Sequence, residues 1–366
     1  MFTYKRKDGY KLFTWIKAHK KISLIAISVL SLCIIATASF GVYKLVNTES
    51  ITVSSDKRYI KWVEFNVTYP AMEKAMSMDI KSYNQPVHLN WIELLSYLGT
   101  KYGGDFKKYK SKDLDKIAAR IKNGETIEQI MKDSKYYKYY FEAYSAILGN
   151  FLGEYEVQEK DPENSENKIW VKKYGLKVFS PIAKGYGFSH YDDFGDGRSF
   201  GYARKHLGND LMGNIGTPIV AVESGRVEAM GWNMYGGWRI GIRSFDNKRY
   251  YYYAHLRKDK PFHSDLYVGK TVKAGDVIGY LGMTGYSTRE NVNNITTPHL
   301  HFGMQLIFDE SQKESNNEIW VDVYNIVNLL QKNRSAVVKD EETRDYYRNF
   351  ELLEPSTPSS ISPGDD

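Results

Sequence analysis

Residues 216–231 read GTPIVAVESGRVEAMG, and this stretch decides the expected fold of the C-terminal half. It contains two short apolar runs, Pro218–Val222 and Arg226–Met230, with a glycine-containing turn between them. Short apolar runs bounded by turn residues are typical of β-strands joined by tight connections. The stretch therefore predicts a β-rich domain.

The same pattern continues to the C-terminal side. Further short β-rich runs are Arg239–Ile242, Arg249–His255, Val277–Leu281 and His299–Ile307. A helix predicted over Val321–Gln331 closes this domain, for which we predict the bounds 171–332. The polar residues 156–170 predict a linker before it, and residues 333–366 predict a polar, partly disordered tail after it.

Residues 69–155 have a helical pattern instead. Leu89, Ile92, Leu95 and Leu98 recur at three-residue steps, as on one face of a helix, and a glycine pair at 103–104 ends that helix. No motif with chemical meaning occurs here, and we interpret His88 as structural. We expect a small helical domain of unknown role that is dispensable for chemistry, so the expected fold class is α+β.

The N-terminus predicts a membrane anchor. Residues 22–43 carry no charged residue, which is long enough for a helix across a hydrocarbon core of about 30 Å. The basic residues of 1–21 predict a cytoplasmic tail, with 44–68 as a stalk on the outer side. A signal peptide cleaved after Ala38 is the alternative, and it too places the bulk of the chain outside.

Charge and cysteine content exclude two classes of function. The net charge is +6, but seven basic residues and one acidic residue lie in 1–21, so the remainder carries 43 of each sign. The folded part thus has no basic excess for nucleic acid. The single cysteine, Cys33, lies in the apolar segment, which excludes an internal disulfide and a thiolate metal site outside the membrane.

Four of the eight histidines lie in three short motifs: HLGND at 206–210, YYYYAHL at 250–256 and PHLHF at 298–302. An even spacing places His206 and Asp210 on one face of an extended strand, and likewise His299 and His301. Two imidazoles and one carboxylate with an open fourth position form a catalytic type of zinc site. The spacing alone does not decide which histidine of the second pair binds metal.

Together these motifs resemble the lysostaphin/LytM-type zinc endopeptidases of peptidoglycan. The matching pieces occur in the family's order: FGDGR at 194–198, HLGND at 206–210, GTPIVAVESGRVEAMG at 216–231, YYAHL at 252–256, AGDVIGYLGMTGYS at 274–287 and PHLHFGM at 298–304. The resemblance covers about residues 194–304. It implies a mainly antiparallel β catalytic domain of the lysostaphin-like type, preceded here by the helical domain and one transmembrane helix.

The resemblance also implies roles for five residues. His206, Asp210 and His301 would bind Zn²⁺, while His255 and His299 would form an unliganded catalytic pair that stabilises the oxyanion and handles protons. The resemblance thus implies a zinc metalloendopeptidase. The predicted anchor makes it a single-pass protein of the cell membrane, with a cytoplasmic N-terminus and an extracytoplasmic catalytic domain. Its implied substrate is a peptide of the peptidoglycan cross-links or stems, with the scissile bond left open.

Two alternatives come from other classes of protein. One is a catalytically silent wall-binding or assembly protein with this fold, and the presence of all five site residues argues against it. The other is a biotinyl or lipoyl carrier, which residues 216–231 and 272–282 resemble, but the acceptor lysine is missing.

The sequence departs from the family pattern in two places. Residues 288–297 are an insertion before the PHLHF motif, and an additional His190 precedes the HLGND motif. Both put the substrate preference in doubt rather than the metal site. We expect His190 and His263 to lie outside the site.

Overall fold

The computed structural model of the chain describes residues 59–313 and 317–355. Residues from Tyr59 onward belong to one compact unit. The predicted cytoplasmic tail, the predicted membrane segment 22–43 and residues 44–58 of the predicted stalk lie outside the described residues. Within the described part, no helix combines the length and the apolar character needed to span a bilayer.

Helices form the N-terminal part of this unit. Their bounds are α1 Tyr69–Ser82, α2 Trp91–Tyr102, α3 Ser111–Lys122, α4 Ile127–Met131 and α5 Tyr137–Leu148. Helix α2 begins after Asn90, whose side chain accepts hydrogen bonds from the backbone amides of Ile92 and Glu93. It ends at Gly103, which has a φ of 64°. The predicted helix and its glycine stop are thus confirmed.

A twisted antiparallel sheet of eight strands forms the centre of the C-terminal part. Its strand order is β11-β8-β9-β10-β13-β6-β3, with β14 also paired to β13. The bounds are β3 Ser189–His190, β6 Asn209–Met212, β8 Gly225–Asn233, β9 Gly237–Ser244, β10 Arg249–Ala254, β11 Thr271–Val272, β13 His299–Leu306 and β14 Ile319–Val321. The mainly antiparallel β architecture with additional helices is therefore confirmed.

Smaller sheets and one further helix surround this centre. A three-stranded sheet consists of β1 Leu152–Lys160, β2 Lys168–Leu176 and β17 Leu352–Leu353. Strand pairs are β4 Gly197–Phe200 with β5 Tyr202–Lys205, β7 Pro218–Val220 with β12 Val277–Tyr280, and β15 Val337–Lys339 with β16 Tyr346–Arg348. Helix α6 spans Tyr324–Leu330, shorter than predicted because Val321 belongs to β14.

The structure differs from the predicted linker and tail. Most of residues 156–170 lie in the β1–β2 hairpin, whose strands are only half-buried and therefore have a polar sequence. Residues 333–355, which the sequence predicts to be tail, include three strands. Asn333 holds this segment by donating hydrogen bonds to the carbonyls of Leu176 and Val178.

The helices and the central sheet share one hydrophobic core. Buried side chains of α1, α2 and α5 belong to the same cluster as those of β10, β13 and α6. Polar contacts reinforce this junction, since the Tyr69 amide donates to Asn325 Oδ1 at 2.9 Å. The fully buried Arg249 also donates to the carbonyl of Ala146 in α5 at 2.5 Å. The helical region is thus packed against the β domain.

Candidate metal centre

Strand pairing brings the two predicted metal-binding motifs together. Strands β6 and β13 are antiparallel neighbours in which His301 lies opposite Asp210 and Leu300 opposite Leu211. Both leucines are fully buried in the core. Side chains alternate between the faces of a strand, so His301 and Asp210 occupy the other face. The register of two central strands therefore positions both groups.

Three donor atoms converge on this face. His206 Nε2 lies 3.0 Å from Asp210 Oδ1 and 2.8 Å from His301 Nδ1. His301 Nδ1 in turn lies 3.0 Å from Asp210 Oδ1. A tetrahedral zinc ion with ligands at about 2.0–2.1 Å has ligand–ligand separations of about 3.3 Å. The chemistry and spacing of this His-Asp-His cluster therefore fit such an ion.

Gly208 makes the close approach of these groups possible. A Cβ atom at this position would lie 2.7 Å from both Cε1 and Nε2 of His301, and 2.7 Å from the carbonyl oxygen of Phe302. These separations are too short for non-bonded atoms. The glycine inside the HLGND motif thus leaves space for the imidazole of the neighbouring strand.

Asp193 fixes the orientation of the His206 ring, and sequence reasoning did not identify it. His206 Nδ1 lies 3.0 Å from the Asp193 carbonyl oxygen and 3.1 Å from its carboxylate. A proton on Nδ1 is therefore donated to Asp193, which leaves the Nε2 lone pair directed at the donor cluster. Arg198 pairs with Asp193 at 2.9 Å and with Asp210 at 3.3 Å. The signal available in the sequence was an acidic residue upstream of the HLGND motif, because a histidine that binds metal commonly donates its other N–H to a carboxylate.

Charge coupling at the cluster is strong. Burial alone would lower the pKa of His206, but its hydrogen bonds to Asp193 and Asp210 outweigh burial and raise this pKa to about 9. Burial would likewise raise the pKa of Asp210, yet the bonds from His206 and His301 hold it well below its usual range. A divalent cation that binds here would therefore displace the proton from His206 Nε2.

His255 and His299 lie beside the donor cluster. Their ring centroids are 4.8 Å apart, and that of His255 is 5.9 Å from the His301 ring. His255 Nδ1 lies 2.9 Å from the Thr284 carbonyl and His299 Nδ1 lies 2.8 Å from the Thr297 carbonyl. Each ring therefore donates through Nδ1 to backbone and retains Nε2 for another partner.

His255 is held neutral in an unusual backbone conformation. Burial, followed by the neighbouring imidazoles of His299 and His301, keeps the pKa of His255 well below its ordinary value. Its φ of 61° lies in the left-handed region that residues other than glycine rarely adopt. Such strain at a site residue is typical of functional positions.

The remaining described histidines lie outside the cluster. His190 bonds to Asn209 at 2.6 Å and to Asn328 at 3.1 Å. His263 accepts from the Asp265 amide at 3.2 Å, and His88 pairs with Asp79 at 2.8 Å. Each has structural partners of its own.

A cleft of about 310 Å³ opens in front of the cluster. Its lining includes His206, Asp210, His255 and His301. Arg198 and Arg204 of the β4–β5 hairpin also line it, as do Tyr235 and Tyr286. The donor cluster is thus reachable from an open groove.

The antiparallel sheet thus presents two histidines and a carboxylate to a cleft, with two more histidines beside them, which is the donor set of a metal-binding domain. Residues 204–316 match the sequence profile of Peptidase family M23. The match covers 113 of the 366 residues, and this part of the chain contains the donor cluster.

Curated relatives share this part of the chain. The L-Ala–D-Glu endopeptidase of Bacillus subtilis (strain 168) is 41% identical over 117 residues, which are 32% of this chain and 34% of that protein. Lysostaphin of Staphylococcus simulans is 40% identical over 120 residues, 32% of this chain and 20% of the relative. The chain therefore spans about a third or less of the length of these two relatives.

Solved structures show the same similarity. A crystal structure of a glycyl-glycine endopeptidase LytM homologue from Ruminococcus gnavus ATCC 29149 aligns with 76% of this chain and 92% of its own, at 20% identity and a TM-score of 0.49. The catalytic domain of lysostaphin from Staphylococcus simulans aligns with 38% of this chain and 92% of its own, at 32% identity and a TM-score of 0.30.

Proposed function

We propose that this protein is a membrane-anchored zinc endopeptidase that hydrolyses peptide bonds of bacterial peptidoglycan on the outer side of the membrane. The observation that carries the proposal is the convergence of His206 Nε2, Asp210 Oδ1 and His301 Nδ1 within 3.0 Å of one another. The match of residues 204–316 to Peptidase family M23 supports the substrate class, as does the similarity to an L-Ala–D-Glu endopeptidase and a peptidoglycan DD-endopeptidase. The uncharged segment 22–43 after a basic tail supports the location.

Each residue then has a distinct task. His206, Asp210 and His301 would hold the zinc ion, and bound zinc would polarise the scissile carbonyl and make a water molecule more acidic. Asp193 keeps the His206 ring in the tautomer that directs Nε2 inward. Arg198 compensates the charge of both carboxylates.

Proton transfer falls to the histidine pair. His255 is neutral and its Nδ1 proton is donated to the Thr284 carbonyl, so Nε2 is available as a proton acceptor. It takes a proton from the attacking water as the oxygen–carbon bond forms. It returns that proton to the leaving nitrogen as the carbon–nitrogen bond breaks. His299 is bound through Nδ1 in the same way, and it would donate to the oxyanion from Nε2 as an imidazolium that has taken its second proton from solvent.

The test is digestion of purified sacculi with the zinc-loaded chain, followed by mass spectrometry of the new amino termini. Release of new peptide termini supports the proposal and names the scissile bond. The matched control is His255→Ala, which retains the three donors. Binding to sacculi with no new termini from either protein would instead indicate the wall-binding function.

A further inference from the structure

The β4–β5 hairpin presents one face to the cleft. Residues 198 and 200 of β4 and residues 202 and 204 of β5 alternate onto the same side. Phe200 and Tyr202 contact the Tyr235 ring, with centroids 6.2 Å and 5.6 Å away. Phe200 also stacks on Tyr286 at 5.5 Å. The hairpin is therefore attached to the cleft by aromatic contacts.

This face carries two arginines directly opposite each other. Arg198 and Arg204 are cross-strand partners, an arrangement that is destabilising for like charges. Arg198 is neutralised by Asp193 and Asp210. Arg204 is not neutralised in this way, because no carboxylate among the described residues forms an ion pair with it. An uncompensated guanidinium is thus held at the wall of the cleft.

Aromatic rings fix the Arg204 guanidinium in place. Its central carbon lies 4.8 Å from the Tyr235 ring centroid and 5.1 Å from that of Tyr286. Its Nη1 atom is buried without a hydrogen-bond partner. A guanidinium held between two rings loses little further freedom when it binds a ligand, and its planar fork matches a carboxylate.

Arg204 also lies close to the reacting groups. Tyr286, which contacts its guanidinium, has its ring centroid 5.8 Å from that of His255. One tyrosine ring therefore separates the arginine from the proposed proton acceptor. A carboxylate bound at Arg204 would belong to a residue at or next to the scissile bond.

We propose that Arg204 binds a free carboxylate of the substrate peptide, so that the cleft selects acidic stem peptides over uncharged oligoglycine bridges. This inference rests on the proposed function and names the substrate class of the same site. In a stem peptide the carboxylate has two sources, the α-carboxyl of a γ-linked D-glutamyl residue and the C-terminal carboxyl. Arg204 is a specificity residue on this account.

The experiment measures binding of L-Ala-γ-D-Glu-L-Lys-D-Ala to the zinc-loaded His299→Ala variant, in which turnover is slow. The D-glutamyl α-carboxyl and the C-terminal carboxyl are converted to amides in two separate peptides. N-acetyl-pentaglycine amide, which has no carboxylate, is a fourth ligand. We expect one of the two amidations to weaken binding about 10–100-fold, as for loss of a charge-assisted hydrogen bond. The peptide affected identifies the source of the carboxylate.

Variants of Arg204 in the His299→Ala background test whether Arg204 causes the weaker binding of the amidated peptide. Arg204→Met should bind acid and amide peptides equally, while Arg204→Lys should retain part of the difference because it keeps the charge but not the fork. Arg226→Met, at an exposed arginine of β8 outside the cleft, should leave the preference unchanged. Retained zinc and unchanged circular dichroism show that each variant is folded.

Two results would overturn the inference: equal binding of all peptides, or a preference that survives in both Arg204 variants. Cleavage by the chain without these substitutions is scored separately. If the chain cleaves acid and amide peptides equally, the proposed hydrolysis is supported and the role of Arg204 is refuted. If the chain binds the acid peptide more tightly but cleaves none of the peptides, the carboxylate recognition is supported and the proposed hydrolysis is refuted.

Discussion

At the scale of residues, the site depends on which nitrogen of each imidazole faces the cleft. Backbone carbonyls hold His255 and His299 through Nδ1, and Asp193 holds His206 in the same way. These bonds set the tautomer before any substrate arrives. Preorganisation of this kind keeps the donors of a site in productive geometry.

Asp193 offers the first test at this scale. Asp193→Asn should weaken zinc affinity about 10–100-fold, because the orienting partner of a metal-binding histidine becomes neutral. Competition with a chromophoric chelator measures this affinity. The exposed neighbour Asp192 provides the matched control, and Asp192→Asn should bind zinc normally. Equal affinities in the two variants would show that Asp193 does not position His206.

The residues of the cluster could be selected from sequence, but their partners could not. Even spacing correctly placed His299 and His301 on one face of β13. The same prediction was wrong for His206, which lies before β6 and is brought to Asp210 by a bend at Gly208. The register of β6 against β13 decides which histidine of the HLH pair joins the cluster, and this register cannot be read from the spacing of residues in the sequence. The structure places His301 in the cluster. The family resemblance had assigned it there.

At the scale of elements, the distance between β13 and the segment before β6 decides whether the donor atoms of His206, Asp210 and His301 lie close enough to bind one metal ion. Gly208 leaves the room that the His301 ring occupies. Gly208→Ala should therefore displace this ring and reduce zinc content and hydrolysis together. Elemental analysis and a peptide assay measure both. Gly187→Ala, where a Cβ would meet open space, is the control and should keep both.

A buried carboxylate, that of Asp345, contributes to the attachment of the C-terminal strands to the β domain. Asp345 is fully buried, accepts from the Tyr280 hydroxyl at 2.6 Å and pairs with Lys260 at 2.8 Å. Burial would raise its pKa, but the bonds with Lys260, Ser264 and Tyr280 outweigh burial and hold the pKa well below its usual range. The sequence predicted a tail here because most of these residues are polar.

Acid should weaken this attachment. A carboxyl whose pKa is lower in the folded state stabilises the fold above its unfolded pKa of about 3.9, and this contribution is lost as the pH falls below it. Asp345→Asn should cost about 3–5 kcal/mol near neutral pH, as for a buried pair that loses one partner. Urea unfolding at pH 7 and pH 3 should show a smaller pH dependence in this variant. A pH dependence equal to that of the exposed control Glu342→Gln would contradict the assignment.

At the scale of the whole molecule, the helical region and the β domain are parts of one folded unit. Arg249 joins them, because it binds Glu223 in the β domain at 2.8 Å and the Ala146 carbonyl of α5. The sequence predicted a dispensable helical domain because no motif occurs there. Shared burial leaves no motif, so the common core could not be predicted from sequence.

A fragment that begins at Trp170 tests the shared core. It lacks α1–α5 and β1, so it exposes apolar surface of the common cluster and leaves β2 unpaired. We expect a thermal midpoint well below that of the chain from Tyr59, or an insoluble product. A fragment with an unchanged midpoint would show that the β domain folds independently, as the sequence alone suggested.

The central claim is that His206, Asp210 and His301 hold a zinc ion that hydrolysis requires, with His299 beside it. The most direct measurement is zinc content together with peptide hydrolysis for His301→Ala and His299→Ala after dialysis. We predict that His301→Ala loses both, whereas His299→Ala keeps its zinc and loses about 10²–10³ in rate, as for one oxyanion donor. Zinc lost from His299→Ala but retained by His301→Ala, or full activity of the original chain after verified removal of zinc, would contradict the account.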